Sequence, residues 1–403
     1  MTKILFVLNS THGGAALSAT DLMEGLTARG HRCYAVVPPS AANDYSNLRR
    51  VARGVAEIRL PWWNKKYRSA LYKRPVHWAL GMARSGFRTA STRAIVDVIR
   101  RWDIDLVHSN TSLNLEGALA ARVTGVAHVW HIREQIGDQQ LFRWWLPEPI
   151  LARAFDGLSD ALIVNSETSR AFFARNGFGA RAAVVYNGVK METFDDAAVG
   201  RDAVRSRWGV GASETLVGMV ANLTSTGKRH DVFVRACAAV AGRHDRCRFV
   251  VVGADPDATG GYPSEIAYAR GLKALAGELG VADRFTWAGH RSDIPAVMSA
   301  LDVMVHPMPD ESFGRVAVEA MAAGRPLVGA DAGGLTEIIE DGATGYRVAV
   351  GDPEAFASAV LQVANDQDLA RRLGEAGRRR AAERFSLDRT IEDVCRIHGR
   401  VLG

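Results

Sequence analysis

Two glutamates eight residues apart, Glu311 and Glu319, are the pair in this 403-residue chain whose types and spacing are best suited to chemistry. They sit in Pro307-Met-Pro-Asp-Glu-Ser-Phe-Gly-Arg-Val-Ala-Val-Glu319, after an apolar run ending at His306 and before a helix-patterned segment reaching about Ala323. On a helical wheel, residues 315–323 are apolar all round except at Arg315 and Glu319, which share one narrow face. Such a helix is largely buried, and a buried unpaired carboxylate costs several kcal/mol. Glu319 therefore faces either Arg315 at i−4, in the weaker Arg-before-Glu order, or a polar ligand. The second reading joins Glu311 in the loop, the amides around Gly314 to Val316 at the helix start, and Glu319. Together these would grasp a sugar hydroxyl, a phosphate and a ribose diol along one extended ligand.

Three further places carry candidates. Asn222-Leu-Thr-Ser-Thr-Gly-Lys-Arg229 offers Lys228 and Arg229 after an apolar run, but without the Gly-x-x-x-x-Gly-Lys-Ser/Thr spacing of a nucleotide-hydrolysing loop. Lys228 is either a solvated surface lysine or a point charge for a departing diphosphate. His131, followed by Arg133 and Glu134, is either a satisfied core histidine or a donor to a sugar hydroxyl or phosphate. His12 and His306 are weaker candidates. Gly13-Gly14 opens a helix, which makes it a tight turn or an anion site at backbone amides; it does not complete the Gly-x-Gly-x-x-Gly dinucleotide fingerprint, which argues against an oxidoreductase. No histidine pair has metal-ligand spacing and the candidate loops hold no clustered carboxylates, so no metal is expected.

The elements needed to position these loops are legible as short apolar runs alternating with helix-length segments. The runs near 3–8, 33–37, 106–108, 128–132, 161–164 and 182–186 predict one parallel sheet covered on both faces. A second series, near 216–221, 248–253, 285–287, 302–306 and 326–329, predicts another. The expectation is an α/β chain of two Rossmann-like doubly wound domains facing a central cleft, spanning residues 1–190 plus 387–403 and residues 191–386. Ligands on such sheets bind beyond the carboxyl ends of the strands, where the candidate loops fall.

Charge is divided unequally. Residues 1–190 carry 25 Lys/Arg and 14 Asp/Glu, whereas residues 191–403 carry 25 and 30. Residues 58–96 contain no acid and nine basic residues, Arg59, Lys65, Lys66, Arg68, Lys73, Arg74, Arg84, Arg88 and Arg93, interleaved with Trp62, Trp63, Tyr67, Tyr72, Trp78 and Phe87. This is a solvated helix pair with core aromatics, or a surface for anionic membranes. No nucleic-acid-binding signature accompanies it. Four scattered cysteines exclude a disulfide framework, the first apolar run is too short for a secretory signal, and no stretch of eighteen apolar residues follows. A cytoplasmic protein is expected, peripheral on the inner membrane face if the basic segment binds anionic lipid.

The stretch Glu311-Ser-Phe-Gly-Arg-Val-Ala-Val-Glu319-Ala-Met-Ala-Ala-Gly-Arg-Pro326 resembles the diagnostic motif of the family 4 glycosyltransferases, retaining enzymes of the glycosyltransferase-B fold. The resemblance covers nearly the whole chain. It implies a metal-independent transfer of a sugar from a nucleoside diphosphate sugar, a UDP-sugar first and a GDP-sugar second, to an acceptor hydroxyl. It implies catalytic roles for His131, Glu311 and Lys228. Glu311 would hold donor-sugar hydroxyls, His131 the donor sugar, Lys228 the diphosphate and Glu319 the ribose. Gly13 and Gly14 would lie by the diphosphate and acceptor, and Phe313, Gly314 and Arg315 along the donor. Gly333-Gly334-Leu-Thr-Glu337 resembles the glycine-rich loop beside the donor, and the stretch ending at Gly289 resembles one whose backbone meets the base. Asn187-Gly188-Val189 resembles the hinge, with Lys190 where an aspartate is frequent, and the last helix would return to the first domain. Asn222 stands where the family commonly has an arginine, with Arg229 as a displaced substitute charge. The acceptor would be a lipid-linked or polysaccharide intermediate, or a soluble small molecule. A glycoside hydrolase and a non-catalytic sugar-nucleotide-binding protein are the rival classes.

Overall fold

The computed structural model describes residues 1–10, 13–39, 45–66, 76–137, 142–144, 146–195, 198–224 and 226–403. The chain forms two compact units, Met1–Asn187 with Leu387–Gly403, and Gly188–Ser386. The division falls just before the expected boundary at 190 because Val189 already belongs to the second unit. Its amide donates to the Phe385 carbonyl, and it forms a strand bridge with Ser386.

The strands of the first unit are β1 (Lys3–Val7), β2 (Arg32–Val37), β3 (Val55–Glu57), β4 (Asn64–Lys66), β5 (Leu106–Ser109), β6 (Ala127–Ile132), β7 (Phe142–Trp144), β8 (Ala161–Val164) and β9 (Ala182–Val184). Seven of them form a parallel sheet in the order β3-β2-β1-β5-β6-β8-β9, while β4 and β7 pair with each other antiparallel. The continuous apolar run of β1 has its cause in two covered faces. Ile4 and Phe6 join one core with Leu22, Met23, Ile391 and Val394, whereas Leu5 and Val7 join another with Ile95, Ile99 and Val107. The helix Leu387–Leu402 buries Leu387, Thr390, Ile391, Val394, Ile397 and His398, a stripe at helical spacing. It packs on the helix Gly14–Ala28, where Ile391 lies directly over Gly25 and occupies the space a Cβ would take. Thr390 Oγ1 donates to the Tyr186 carbonyl at 2.8 Å, fastening this helix to the first unit.

The second unit contains β10 (Thr215–Val220), β11 (Cys247–Val252), β12 (Phe285–Gly289), β13 (Val303–His306), β14 (Leu327–Ala330) and β15 (Gly345–Val348), a parallel sheet in the order β12-β11-β10-β13-β14-β15. Both units are therefore Rossmann-like and doubly wound, as the alternating pattern predicts. In each sheet the first strand of the unit has a later strand on either side, β2 and β5 around β1, and β11 and β13 around β10. That reversal of strand order opens a crevice at the carboxyl ends. The loops after β10 and β13 are those carrying Lys228 and Glu311, so topology brings together residues far apart in sequence.

Candidate active site

The acidic loop is built by a strand that ends early and a helix that starts late. β13 stops at His306, and the chain then turns through Pro307 and Pro309 to Gly314, whose φ of 107° admits the reversal into the helix Arg315–Ala322. Glu311 Oε2 accepts a hydrogen bond from His306 Nε2 at 3.2 Å and lies 3.5 Å from Lys228 Nζ. Because a carboxylate can only accept, this fixes the His306 proton on Nε2. Burial alone would raise the Glu311 pKa, but the Lys228 ammonium and the His306 N–H outweigh it and hold the carboxyl at about 2. Lys228 Nζ also touches Met308 Sδ at 3.2 Å. Glu311 is thus an ionised acceptor fixed between a cation and an imidazole. His306, a weaker candidate in the sequence, is thus the hydrogen-bond donor to Glu311; its only signal was its position at the strand end immediately before the motif.

A second loop braces the first. Gly333, at φ 57°, would place a Cβ 2.6 Å from the Glu311 carbonyl oxygen, and Gly334 would place one 2.5 Å from the Phe313 main chain. The Gly334 amide donates to the Glu311 carbonyl at 2.8 Å. Both glycines are required by this backbone contact, which holds the loop bearing Glu311. Phe313 packs edge-on against Phe385 and is 1% exposed, so its contribution to any ligand comes through its main chain. Glu337 lies one helical turn beyond the glycines, in the short helix Leu335–Ile338.

The helix Arg315–Ala322 is buried from Ala317 to Ala322, including Glu319. Arg315 Nε donates to Glu319 Oε1 at 2.9 Å, and its guanidinium also reaches the Gly188 carbonyl at 3.4 Å. Of the two partners weighed for Glu319, the structure shows Arg315.

Asn222 Oδ1 accepts from the Ala254 amide at 2.8 Å, so this side chain ties the loop after β10 to the loop after β11. Arg229 adopts the left-handed region at φ 56° and pairs with Asp231 at 3.2 Å. The next residue, His230, is fully buried between Tyr268 Oη and the Ala221 carbonyl, both at 3.3 Å from its ring nitrogens; burial pushes its pKa down to about 4. Gly289 ends β12 at φ 66°, and its carbonyl accepts from the Gly253 amide at 2.9 Å.

In the first unit Gly13 is exposed at φ 85° and precedes the helix that Gly14 begins. No described atom outside its neighbours approaches the place of a Cβ on either glycine, so Gly13 is favoured by its backbone angle. His131, on β6, is fully buried, with Nδ1 3.2 Å from His108 Nε2. Arg133 donates to Asn110 Oδ1 at 3.0 Å and to Asn187 Oδ1, and Glu134 accepts from the Thr111 and Ser112 hydroxyls and the Ser112 amide. These bonds knit the loops after β5 and β6. His12 lies outside the described residues.

In the basic segment, the core reading holds for Trp63. Trp63 cannot serve a membrane interface, since it is 8% exposed, donates to the Ser112 carbonyl and meets Trp130, Trp144 and Phe155 ring to ring. Its indole had a better apolar partner inside the fold. Arg59 and Arg93 are exposed. Residues 67–75, and the side chains of Lys65, Lys66, Trp78, Arg84, Phe87 and Arg88, lie outside the described residues. Among the described residues no helix is long and apolar enough to cross a membrane, and no group of three or more His, Cys, Asp or Glu is placed to hold a metal ion.

Comparison with known proteins identifies the family. A family model described as Glycosyltransferase Family 4 matches residues 12–193, and one described as Glycosyl transferases group 1 matches residues 200–380. The chain is 33% identical over 309 residues to D-inositol 3-phosphate glycosyltransferase of Streptomyces scabiei, with 73% of this chain and 67% of that protein aligned. The chain belongs to the family 4 glycosyltransferases. A second relative of the same name, from Streptomyces avermitilis, is 35% identical over 292 residues, which is 69% of this chain but only 61% of that protein's length. HepE from Anabaena, solved in complex with UDP-glucose, superimposes with a TM-score of 0.80 at 22% identity over 99% of this chain and 100% of that one. Sucrose-phosphate synthase from Thermosynechococcus elongatus does so with a TM-score of 0.76 at 21% identity, over 99% of both chains. The shared fold is glycosyltransferase-B.

Proposed function

We propose that this family 4 glycosyltransferase moves a sugar from a nucleoside diphosphate sugar to an acceptor hydroxyl with retention of anomeric configuration, without a metal. The observation that carries the proposal is the ionised Glu311 held by Lys228 and His306 beyond the switch-point strands. Glu311 accepts from hydroxyls of the donor sugar. Lys228, with the amides that open the helix Arg315–Ala322, stabilises the diphosphate as negative charge develops on it. His131 donates from Nε2 to the donor sugar. The acceptor attacks the face from which the diphosphate departs, and its proton passes to a leaving phosphate oxygen, so no separate metal or base is needed. A UDP-sugar is the first donor class and a GDP-sugar the second; HepE, whose fold the chain shares, was solved with UDP-glucose. The second unit, Gly188–Ser386, binds the donor, and the first binds the acceptor.

A soluble, polar acceptor is favoured over a lipid-linked one. The relatives' names specify an inositol phosphate, and one aromatic of the basic segment, Trp63, is committed to the core. Purified protein with a matrix of UDP- and GDP-sugars and hydroxyl acceptors should release nucleoside diphosphate only when both substrates are present, with the product's anomeric configuration read by NMR. Hydrolysis of glycosides without nucleotide, donor binding without turnover, or an inverted product would each overturn the proposal. Flotation with anionic liposomes should leave the protein at the bottom of the gradient; salt-sensitive flotation would restore the lipid-linked acceptor.

A further inference from the structure

Behind His131 runs a row of three buried imidazoles. His131 Nδ1 lies 3.2 Å from His108 Nε2, and His108 Nδ1 lies 3.0 Å from His398 Nε2. They come from β6, β5 and the helix Leu387–Leu402. The register explains the first contact: His108 is opposite Val129, so His131 is its diagonal neighbour on the same face. The middle ring is held flat against Phe6, with centroids 4.7 Å apart. Both outer nitrogens, His131 Nε2 and His398 Nδ1, are buried and have no hydrogen-bond partner among the described residues. Burial first, and then neighbouring positive charge, pushes the pKa of His108 and of His131 well below the ordinary value, and His398 falls to about 3. At neutral pH all three are uncharged.

A neutral imidazole has one N–H and one lone pair, so the row has only two fully bonded arrangements. Either all three rings carry the proton on Nε2, leaving an N–H at the His131 end, or all three carry it on Nδ1, leaving a lone pair there. The identity of the group offered by His131 is therefore coupled to the ring at position 398. We propose that His108 and His398 are positioning residues that lock His131 in the Nε2–H form. That arrangement agrees with the intrinsically favoured tautomer of neutral histidine. Its N–H, buried in this structure, is able to donate to either a sugar hydroxyl or a phosphate oxygen, whereas a lone pair would accept only from a hydroxyl. The functional consequence rests on the proposed contact between His131 and the donor sugar; the tautomer itself does not.

The experiment is heteronuclear NMR of isotope-labelled histidine side chains in the full chain at neutral pH. His128 is an internal control. It lies on the same sheet but bonds the Leu158 carbonyl through Nδ1 and Ser109 Oγ through Nε2, so it must carry its proton on Nδ1. The expected result is Nε2–H at 131, 108 and 398 and Nδ1–H at 128. His398→Phe should turn His108 and His131 into tautomer mixtures without moving His128, whereas His398→Gln, which keeps a donor near the Nε2 position, should preserve the lock. In the transfer assay His398→Phe should lower donor kcat/KM about tenfold, with recovery in His398→Gln. Mixed or Nδ1–H tautomers in the wild-type row overturn the proposal even if the Phe variant fails to fold, as does a His131 signal indifferent to His398→Phe. If no nucleotide sugar turns over, the transfer reading fails while the NMR result still decides the lock.

Discussion

The two units share a sheet architecture but differ in the buried polarity that dominates each. The first buries four uncharged histidines, His108, His128, His131 and His398, all with pKa values pushed down, beside the buried Asp21, Glu116 and Arg133. The second holds partly buried charges in balanced pairs. Glu311 sits with Lys228, Glu319 with Arg315, and Asp302 with Arg201 and Arg205. The difference fits the roles proposed: a site for a diphosphate needs fixed cations with carboxylates to hold them apart until the ligand arrives, whereas a site for hydroxyls needs neutral donors and acceptors.

The largest expected effect concerns the charged unit. Glu311→Ala should lower transfer by a factor of about 10² to 10³, with the circular dichroism spectrum and melting transition retained; unchanged turnover would remove Glu311 from the reaction. Next is Arg315→Met, which leaves Glu319 buried without its ion-pair partner and should cost about 3 kcal/mol in denaturant unfolding. A cost near zero would show that Glu319 is satisfied without Arg315. Gly334→Ala drives a Cβ into the Phe313 backbone and should cost about 2 kcal/mol and weaken donor binding together, because the same contact holds the Glu311 loop. Loss of stability with unchanged donor binding would separate the brace from the site.

The comparison also has a pH signature. Histidines whose folded pKa lies below the ordinary 6.5 bind fewer protons folded than unfolded, so the stability of the first unit falls as pH drops below about 6.5 toward the folded values. Glu311 behaves differently. Its folded value of about 2 lies below the ordinary 4.5, so its contribution is complete above 4.5 and is lost only as pH falls toward 2. Hydrogen exchange along the full chain, corrected for intrinsic rates, should show residues 1–187 losing protection at higher pH than residues 188–386, with the stretch around His230 as an earlier local exception. Loss of protection in both at the same pH would contradict the contrast.

The sequence announces the central strands of each sheet because two covered faces demand uninterrupted apolar runs. It is silent at one edge of each sheet: Val55–Glu57 and Gly345–Val348 are short and partly exposed, so neither the run nor the alternation is long enough to read. Within the site, the spacing of Glu311 and Glu319 was visible because chain-local patterns carry it. Their partners were visible only where they are local too, as Arg315 is. That Lys228 would stand beside Glu311 depends on β10 and β13 being neighbours, and that three histidines from two strands and the last helix would line up depends on strand register. A lone histidine at a strand end, such as His306, leaves no periodic trace. Trp63 stayed open between core and membrane for a related reason, since a tryptophan in a basic segment looks the same whether its ring faces lipid or another ring.

The central claim is that the Glu311, Lys228 and His306 cluster grips a sugar nucleotide. Calorimetric titration of UDP, GDP and their glucose conjugates into the wild type, Lys228→Met and Glu311→Gln tests it most directly. The account predicts that Lys228→Met weakens nucleoside diphosphate and conjugate alike by at least about tenfold, while Glu311→Gln spares the diphosphate and removes the extra affinity due to the sugar. Equal binding of every ligand by all three proteins, or no binding by any, would contradict it.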